Sequence, residues 1–194
     1  AKEDLQRKGV FNKKITVIYN SFETYIDTKP RLDFQEWVDF GGARIITIAN
    51  LKSEKNLFNL LNAFKLMSLR HDPCPKLLII GSGPQEKELK QLSKGLEIDQ
   101  NIIFTGLITN PYPYLNEADL FVLSSDFESF GIVILEAMSL GKTIVSTSSE
   151  GPREIINHAS LGYLCKVNDP DDLAKKMIAA LECPLESRHI ISRA

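Results

Sequence analysis

The sequence predicts an α/β fold, a three-layer α/β/α sandwich on a Rossmann-like parallel sheet. Two observations carry this. Short β-branched apolar runs alternate with helix-length stretches, as buried parallel strands alternate with amphipathic helices. The polar, glycine-bearing segments fall directly after those runs, where strand-to-helix loops of such a fold collect.

The strand candidates are Ile15 to Tyr19, Arg44 to Ala49, Lys76 to Gly81, Asn101 to Thr105, Leu120 to Ser124, Thr143 to Thr147 and Gly162 to Val167. Each has the length of a strand rather than of a buried helix. Between them, Asn56 to Leu69 carries Leu57, Leu60, Leu61, Phe64 and Met67 at helical spacing, and Pro84 to Gly95 opens on a proline and closes on a glycine. Phe130 to Leu140 and Pro170 to Leu181 are the remaining helices. Ser21 to Gly42 holds Pro30, Trp37 and a Gly41-Gly42 pair without sustained period, and reads as loop plus a short helix. Residues 1–20 form a linker with the first strand, 21–183 the domain, and 184–194 a truncated, charged segment in which no closing element is expected.

With 43% hydrophobic and 25% charged residues, the 194-residue chain can bury one full core. The 23 basic residues nearly balance the 25 acidic ones, which argues against a broad positive field for nucleic acid or anionic membrane. Cys74, Cys165 and Cys183 are widely spaced and lack a CxxC or Cys/His pattern, so reduced thiols of a cytoplasmic protein are expected. No run approaches the roughly 18 to 20 apolar residues of a spanning helix. The polar start without Met is expected either to lie inside a longer protein or to follow a cloning scar.

Ligands of open parallel sheets bind at the carboxyl rim, where following helices aim their N-termini. Gly81-Ser82-Gly83-Pro84 follows one strand. Its two glycines permit close backbone approach, although it lacks the third Gly of GxGxxG and the Lys of a P-loop, and alone it reads as a simple turn. In Ser124 to Ile132, Glu128 sits in a loop and Gly131 opens a helix whose first amides are free donors, a place for a diphosphate. Glu136, one turn on, is a carboxylate among Ile132, Val133, Ile134, Leu135, Ala137 and Met138, costly to bury without a partner and able to accept hydrogen bonds from ribose hydroxyls. Asn50 and Lys55 bracket another loop. Lys55 is either a cation for phosphates or a solvated lysine beside Lys52 and Glu54. Gly151-Pro152-Arg153-Glu154 opens a helix or caps the rim, and His71, His158 and His189 share no triad or metal spacing.

Together these segments resemble the C-terminal, donor-binding domain of GT-B retaining glycosyltransferases of the family 4, group 1 type. Glu128-x7-Glu136 with Ser-Phe-Gly inside is similar to that family's E-x7-E motif. Leu51-x3-Lys55-Asn56, Gly81-Ser82-Gly83-Pro84, Phe104-Thr105-Gly106, Ala118-Asp119-Leu120-Phe121 and Gly151-Pro152-Arg153-Glu154 follow in matching order from about Lys14 to Leu181.

The resemblance implies a nucleoside diphosphate sugar as donor, no metal or other cofactor, and transfer with retention to a glycan or lipid-linked acceptor. By carry-over Lys55 and Glu128 are catalytic, Lys55 neutralising the diphosphate and Glu128 holding the donor sugar. Glu136 holds ribose. Asn50, Gly81, Gly83, Phe130, Gly131, Ile132 and Val133 complete the donor site, with Leu107 and Ile108 in the loop that meets the base. The family usually has Gly-Arg where this chain has Ala49-Asn50, so a second cation is missing, for which Arg153 is one candidate substitute. The acceptor-binding N-terminal domain is also missing. The chain alone is therefore expected to bind donor weakly and transfer nothing, and contact with the inner face of a membrane is assigned to the absent domain. A sugar-nucleotide epimerase of the same architecture, a non-catalytic binding module and half of a split enzyme are the alternatives.

Overall fold

A computed structural model of the chain describes residues 33–192 and, ahead of them, Arg7 alone. The strand expected over Ile15 to Tyr19 lies outside the described residues, as does the linker over residues 1–20 apart from Arg7. The elements are α1 (Gln35–Val38), β1 (Arg44–Ile48), a 3₁₀ turn (Ser53–Lys55), α2 (Leu57–Ser68), β2 (Lys76–Ile80), α3 (Glu86–Gly95), β3 (Ile102–Gly106), α4 (Tyr112–Glu117) and β4 (Leu120–Leu123). They continue with α5 (Ile132–Ser139), β5 (Thr143–Thr147), α6 (Glu150–Ile155), β6 (Tyr163–Cys165), α7 (Pro170–Glu182) and α8 (Ser187–Ile191).

All strand pairs are parallel, in the order β3-β2-β1-β4-β5-β6. Because side chains alternate across a strand, β1 sends Ile45 to one face and Ile46 to the other. Ile45, Leu77, Ile79, Leu120 and Val122 pack under α2, α3 and α7. Ile46, Leu78, Ile80, Phe121 and Leu123 pack against α1, α4, α5, α6 and α8. This is the α/β/α sandwich that the alternation of strands and helices requires. Each leucine or isoleucine buried this way contributes about 1.5–3 kcal/mol, which makes the two faces the main source of cohesion.

At the sheet's amino end, Arg44 donates to Asp119 Oδ2 through its backbone at 2.8 Å, and its guanidinium reaches Asp119, Glu117 and the Val38 carbonyl. Asp119 thus ties β4 to β1 from the rim opposite the loops of interest, so the Ala118 to Phe121 motif serves the fold. Lys142 donates to the Asn116 carbonyl nearby, and burial lowers its pKa although Asp119 and Glu117 oppose the shift.

Two differences from expectation have local causes. Tyr112–Glu117 is helical despite Pro111 and Pro113, because both prolines occupy the first turn, where a missing N–H breaks no helical bond. The charged end, expected without a closing element, forms α8. Ile190 is fully buried against the α5 side of the sheet, and the Ser187 hydroxyl donates to the Gly141 carbonyl at 3.0 Å.

The three cysteines are free thiols. Burial pushes Cys165 up to about 12 and raises Cys74, whereas Cys183 is exposed. Since the thiolate is the reactive form, iodoacetamide is expected to label Cys183 first and Cys165 only on unfolding. Mass spectrometry of a timed, neutral-pH reaction reads the order, and early labelling of Cys165 would contradict its place in the core.

Candidate functional site

The strand order reverses direction between β1 and β4, and at such a switch point the loops leave on opposite faces and open a crevice at the carboxyl rim. A cleft of about 460 Å³ lies there, lined by the loops after β1, β2, β3 and β4 and by the start of α5. Asn50, Lys55, Gly81, Leu107, Ile108, Glu128, Phe130, Gly131, Ile132 and Val133 all line it. Segments separated by up to about eighty positions in the chain are thereby joined by sheet topology.

Lys55 is only partly solvated and lies outside α2. It ends the 3₁₀ turn, and its Nζ donates to Glu128 Oε2 at 2.5 Å, with the two side chains 21% and 15% exposed. Its backbone is fixed from two sides: the Ser124 hydroxyl donates to the Lys55 carbonyl at 2.9 Å, and the Asp126 amide donates to the Glu54 carbonyl at 2.9 Å. Asn56 holds the same loop from the next position. At φ 41° its Oδ1 accepts from the Asn59 amide as the cap of α2, while Nδ2 donates to Asp126 Oδ1 at 2.7 Å and Asn168 Oδ1 at 3.1 Å. Asparagine tolerates this left-handed backbone and supplies both a donor and an acceptor. The loops after β1, β4 and β6 are therefore one hydrogen-bonded unit, with Lys55 at its edge.

Gly131, at φ 94°, is the N-cap of α5. The first turn bond runs from the Ile134 amide to the Gly131 carbonyl at 2.8 Å, so the amides of Ile132 and Val133 have no carbonyl within the helix to bond. Both residues line the cleft, and with the positive end of the helix dipole they suit an anion. Behind this loop the Gly151 amide donates to the Glu128 carbonyl at 2.9 Å, and a Cβ on Gly151 would fall 2.5 Å from Phe130 Cα. The Gly151-Pro152 step is thus a buttress under Glu128 to Gly131 rather than a cover over the rim. Arg153 is exposed and is not among the cleft residues, so Lys55 is the only cation among the described residues lining it.

Two residues expected at the site, Gly83 and Glu136, are not among those that line the cleft directly. Gly83 turns toward the loop after β1, where an added Cβ would come within 2.5 Å of the Leu51 carbonyl oxygen, and it serves the packing of two loops. Glu136 lies one turn into α5, outside the cleft lining, half-buried, and accepts a hydrogen bond from Tyr112 Oη at 3.0 Å. That tyrosine supplies the partner a carboxylate among apolar neighbours needs. Sequence reasoning does not point to Tyr112, and it gives no individual role to Asn56, Ser124 or Asp126 although they fall in the motifs it singles out. Only Asn56, adjacent to Lys55 and preceding a helix, carries a cap signal by which it could be found. Among the described residues, no three His, Cys, Asp or Glu side chains gather as metal ligands.

A lysine–carboxylate pair and free helix amides thus meet on a switch-point cleft of an α/β domain, the place where such sheets take their ligands. The chain belongs to the Glycosyl transferases group 1 family, which it matches over residues 30–194. Its fold is the Rossmann-like lobe of GT-B glycosyltransferases. It is 32% identical over 186 residues to N-acetyl-alpha-D-glucosaminyl L-malate synthase of Bacillus anthracis, covering 94% of this chain and 48% of that protein. A Campylobacter jejuni N-acetylgalactosaminyltransferase acting on a diphospho-undecaprenol-linked glycan is 28% identical over 182 residues, covering 93% of this chain and 48% of that protein. The chain therefore spans about half the length of these curated relatives. Among solved structures, Anabaena Alr3699/HepE in complex with UDP-glucose aligns with a TM-score of 0.83 at 25% identity, over 99% of this chain and 54% of that one. The apo lipopolysaccharide outer core galactosyltransferase WaaB aligns with a TM-score of 0.80 at 25% identity, over 99% and 54%.

Proposed function

We propose that this chain is the donor-binding lobe of a retaining glycosyltransferase, taking a sugar from a nucleoside diphosphate sugar and passing it to a glycan or lipid-linked acceptor held by a second lobe. The observation that carries the reading is the convergence of Lys55, Glu128 and the free amides of Ile132 and Val133 on one cleft. Cleavage of the donor bond leaves negative charge on the departing diphosphate. A lysine and oriented helix amides stabilise that charge where it develops, so the chemistry asks for no metal. Glu128 holds hydroxyls of the donor sugar and positions it without exchanging protons. Glu136, oriented by Tyr112, accepts from the ribose. The loop carrying Leu107 and Ile108 meets the base.

Leu107, Phe127 and Ile132 stand exposed around the same cleft or on its loops, where a second lobe would cover them. The donor lobe by itself binds donor without transferring the sugar. The free thiols fit a cytoplasmic enzyme, and contact with a membrane falls to the second lobe; among the described residues, no helix is long and apolar enough to cross one.

Calorimetric titration of the 194-residue chain with uridine, guanosine and adenosine diphosphate sugars is the direct test. Binding of one base class is expected, weakened about tenfold or more in Glu136→Ala through loss of charge-assisted bonds to ribose. If no sugar nucleotide binds, the donor-site reading fails. Turnover by this chain alone would overturn the division into two lobes.

A further inference from the structure

The ion pair that marks the site also sets its two halves against each other. Lys55 and Glu128 meet at 2.5 Å, largely shielded from water, and each is the other's partner. In the donor-binding reading, on which this inference rests, they take different parts of one ligand. Lys55 turns to the diphosphate and Glu128 to the sugar hydroxyls. A bound nucleoside diphosphate without its sugar satisfies only one of them. If Lys55 moves to the phosphates, Glu128 is left as a shielded carboxylate with no donor, beside a polyanion. If Lys55 stays with Glu128, the phosphates lose their cation. No other cationic side chain among the described residues lines the cleft to resolve the contest, because Asn50 is neutral and Arg153 lies outside.

We propose that the Lys55–Glu128 pair is a discriminator that makes the site hold sugar-bearing nucleotide more tightly than the nucleoside diphosphate left after transfer. With the sugar present, its hydroxyls donate to Glu128, and Lys55 is free for the diphosphate. Once the sugar has gone, Glu128 reclaims Lys55 and the product is loosened. The carboxylate is thus a specificity element for the whole donor and a release element for its remnant. Its effect is strong in this chain because one cation serves two anions.

The test is calorimetry on the 194-residue chain and its E128Q, E128D and N50R variants, with inorganic pyrophosphate, UDP and UDP-glucose as probes. If the chain selects a base other than uridine, the diphosphate and sugar nucleotide of that base replace the uridine pair, while pyrophosphate needs no base. The wild-type chain is expected to bind the sugar nucleotide more tightly than the diphosphate. E128Q keeps the shape and removes the charge, so pyrophosphate and nucleoside diphosphate bind roughly five- to tenfold more tightly, and the preference for sugar nucleotide disappears. E128D keeps the charge and the wild-type order. N50R, at an exposed position, gives the diphosphate a cation of its own and tightens the diphosphate more than the sugar nucleotide.

Unchanged or weaker pyrophosphate and diphosphate binding in E128Q overturns the proposal. So does an N50R variant that leaves the ratio of the two nucleotides as in wild type, which carries the test should E128Q fail to fold. If neither wild type nor N50R binds any probe, the donor-site reading itself falls, and this inference with it. A wild type that binds the probes while E128Q behaves identically sinks the discriminator alone.

Discussion

Lys55→Met is expected to lower the affinity for inorganic pyrophosphate and for the cognate nucleoside diphosphate by about a hundredfold, the largest loss from any single change in the cleft. Two effects add. The diphosphate loses the only cation among the described cleft residues, and Glu128 loses the donor that holds it at 2.5 Å, so an uncompensated carboxylate faces the incoming anion. Methionine keeps most of the stem's volume, which confines the change to charge. The same substitution leaves Glu128 with little solvent and no partner, and is expected to cost about 1–2 kcal/mol of stability. Adding Glu128→Gln should restore stability in the double variant, since a neutral amide tolerates the apolar neighbour better. It should not restore pyrophosphate binding to the wild-type level. Calorimetry and urea unfolding on the four chains of this cycle separate the two effects, and equal pyrophosphate affinity in wild type and Lys55→Met would remove Lys55 from the site. Arginine is no substitute, because its planar fork demands a different reach and direction from an ammonium on a four-carbon stem.

Sequence alone finds Lys55 but does not place it. The strands are legible because buried parallel strands must be apolar on both faces, as Lys76–Ile80 and Leu120–Leu123 are, and the carboxyl-rim rule then points to the loops after them. The order of motifs identifies the loop containing Lys55, yet its local pattern fits a solvated lysine equally well. What distinguishes the two is Glu128, 73 residues away, and that contact exists only once β1 and β4 are neighbours. The same holds for Glu136. Its apolar neighbours in sequence signal that it needs a partner, but Tyr112 arrives from a helix that its prolines disguise as a loop. Glycines mislead in the opposite direction. Gly81 and Gly83 look alike in Gly-Ser-Gly-Pro, but Gly83 packs on Leu51 while Gly81 lines the cleft, and only the approach of neighbouring backbone distinguishes them. Local sequence thus reports which residues are chemically capable, and the sheet order decides which of them meet.

The second large effect concerns the scaffold beneath that meeting. Gly81 follows β2 at φ 136°, and a Cβ there would lie 2.0 Å from the Ala49 carbonyl oxygen, which is main chain and cannot rotate away. The constraint is imposed from both sides. The Ala49 amide donates to the Ile80 carbonyl at 3.0 Å, and the Gly81 amide donates to the Gly106 carbonyl at 2.9 Å. The ends of β1, β2 and β3 are thereby tied together at the floor of the cleft. Gly81→Ala must break one of those bonds or force the loops apart, in a backbone conformation alanine already disfavours, and is expected to cost about 3–5 kcal/mol. Gly95→Ala is the matched control. It adds the same methyl at the end of α3, where nothing lies within 4 Å, and should gain about 0.5–1 kcal/mol from helix propensity and a restricted unfolded chain. Urea unfolding is therefore expected to move the two midpoints in opposite directions. Because Asn50 and Leu107 leave directly from the strained strand ends, Gly81→Ala should also lose nucleotide binding at urea concentrations where it remains folded, whereas Gly95→Ala keeps it. Similar midpoints for the two variants would mean that the three strand ends are not held as closely as their hydrogen bonds imply.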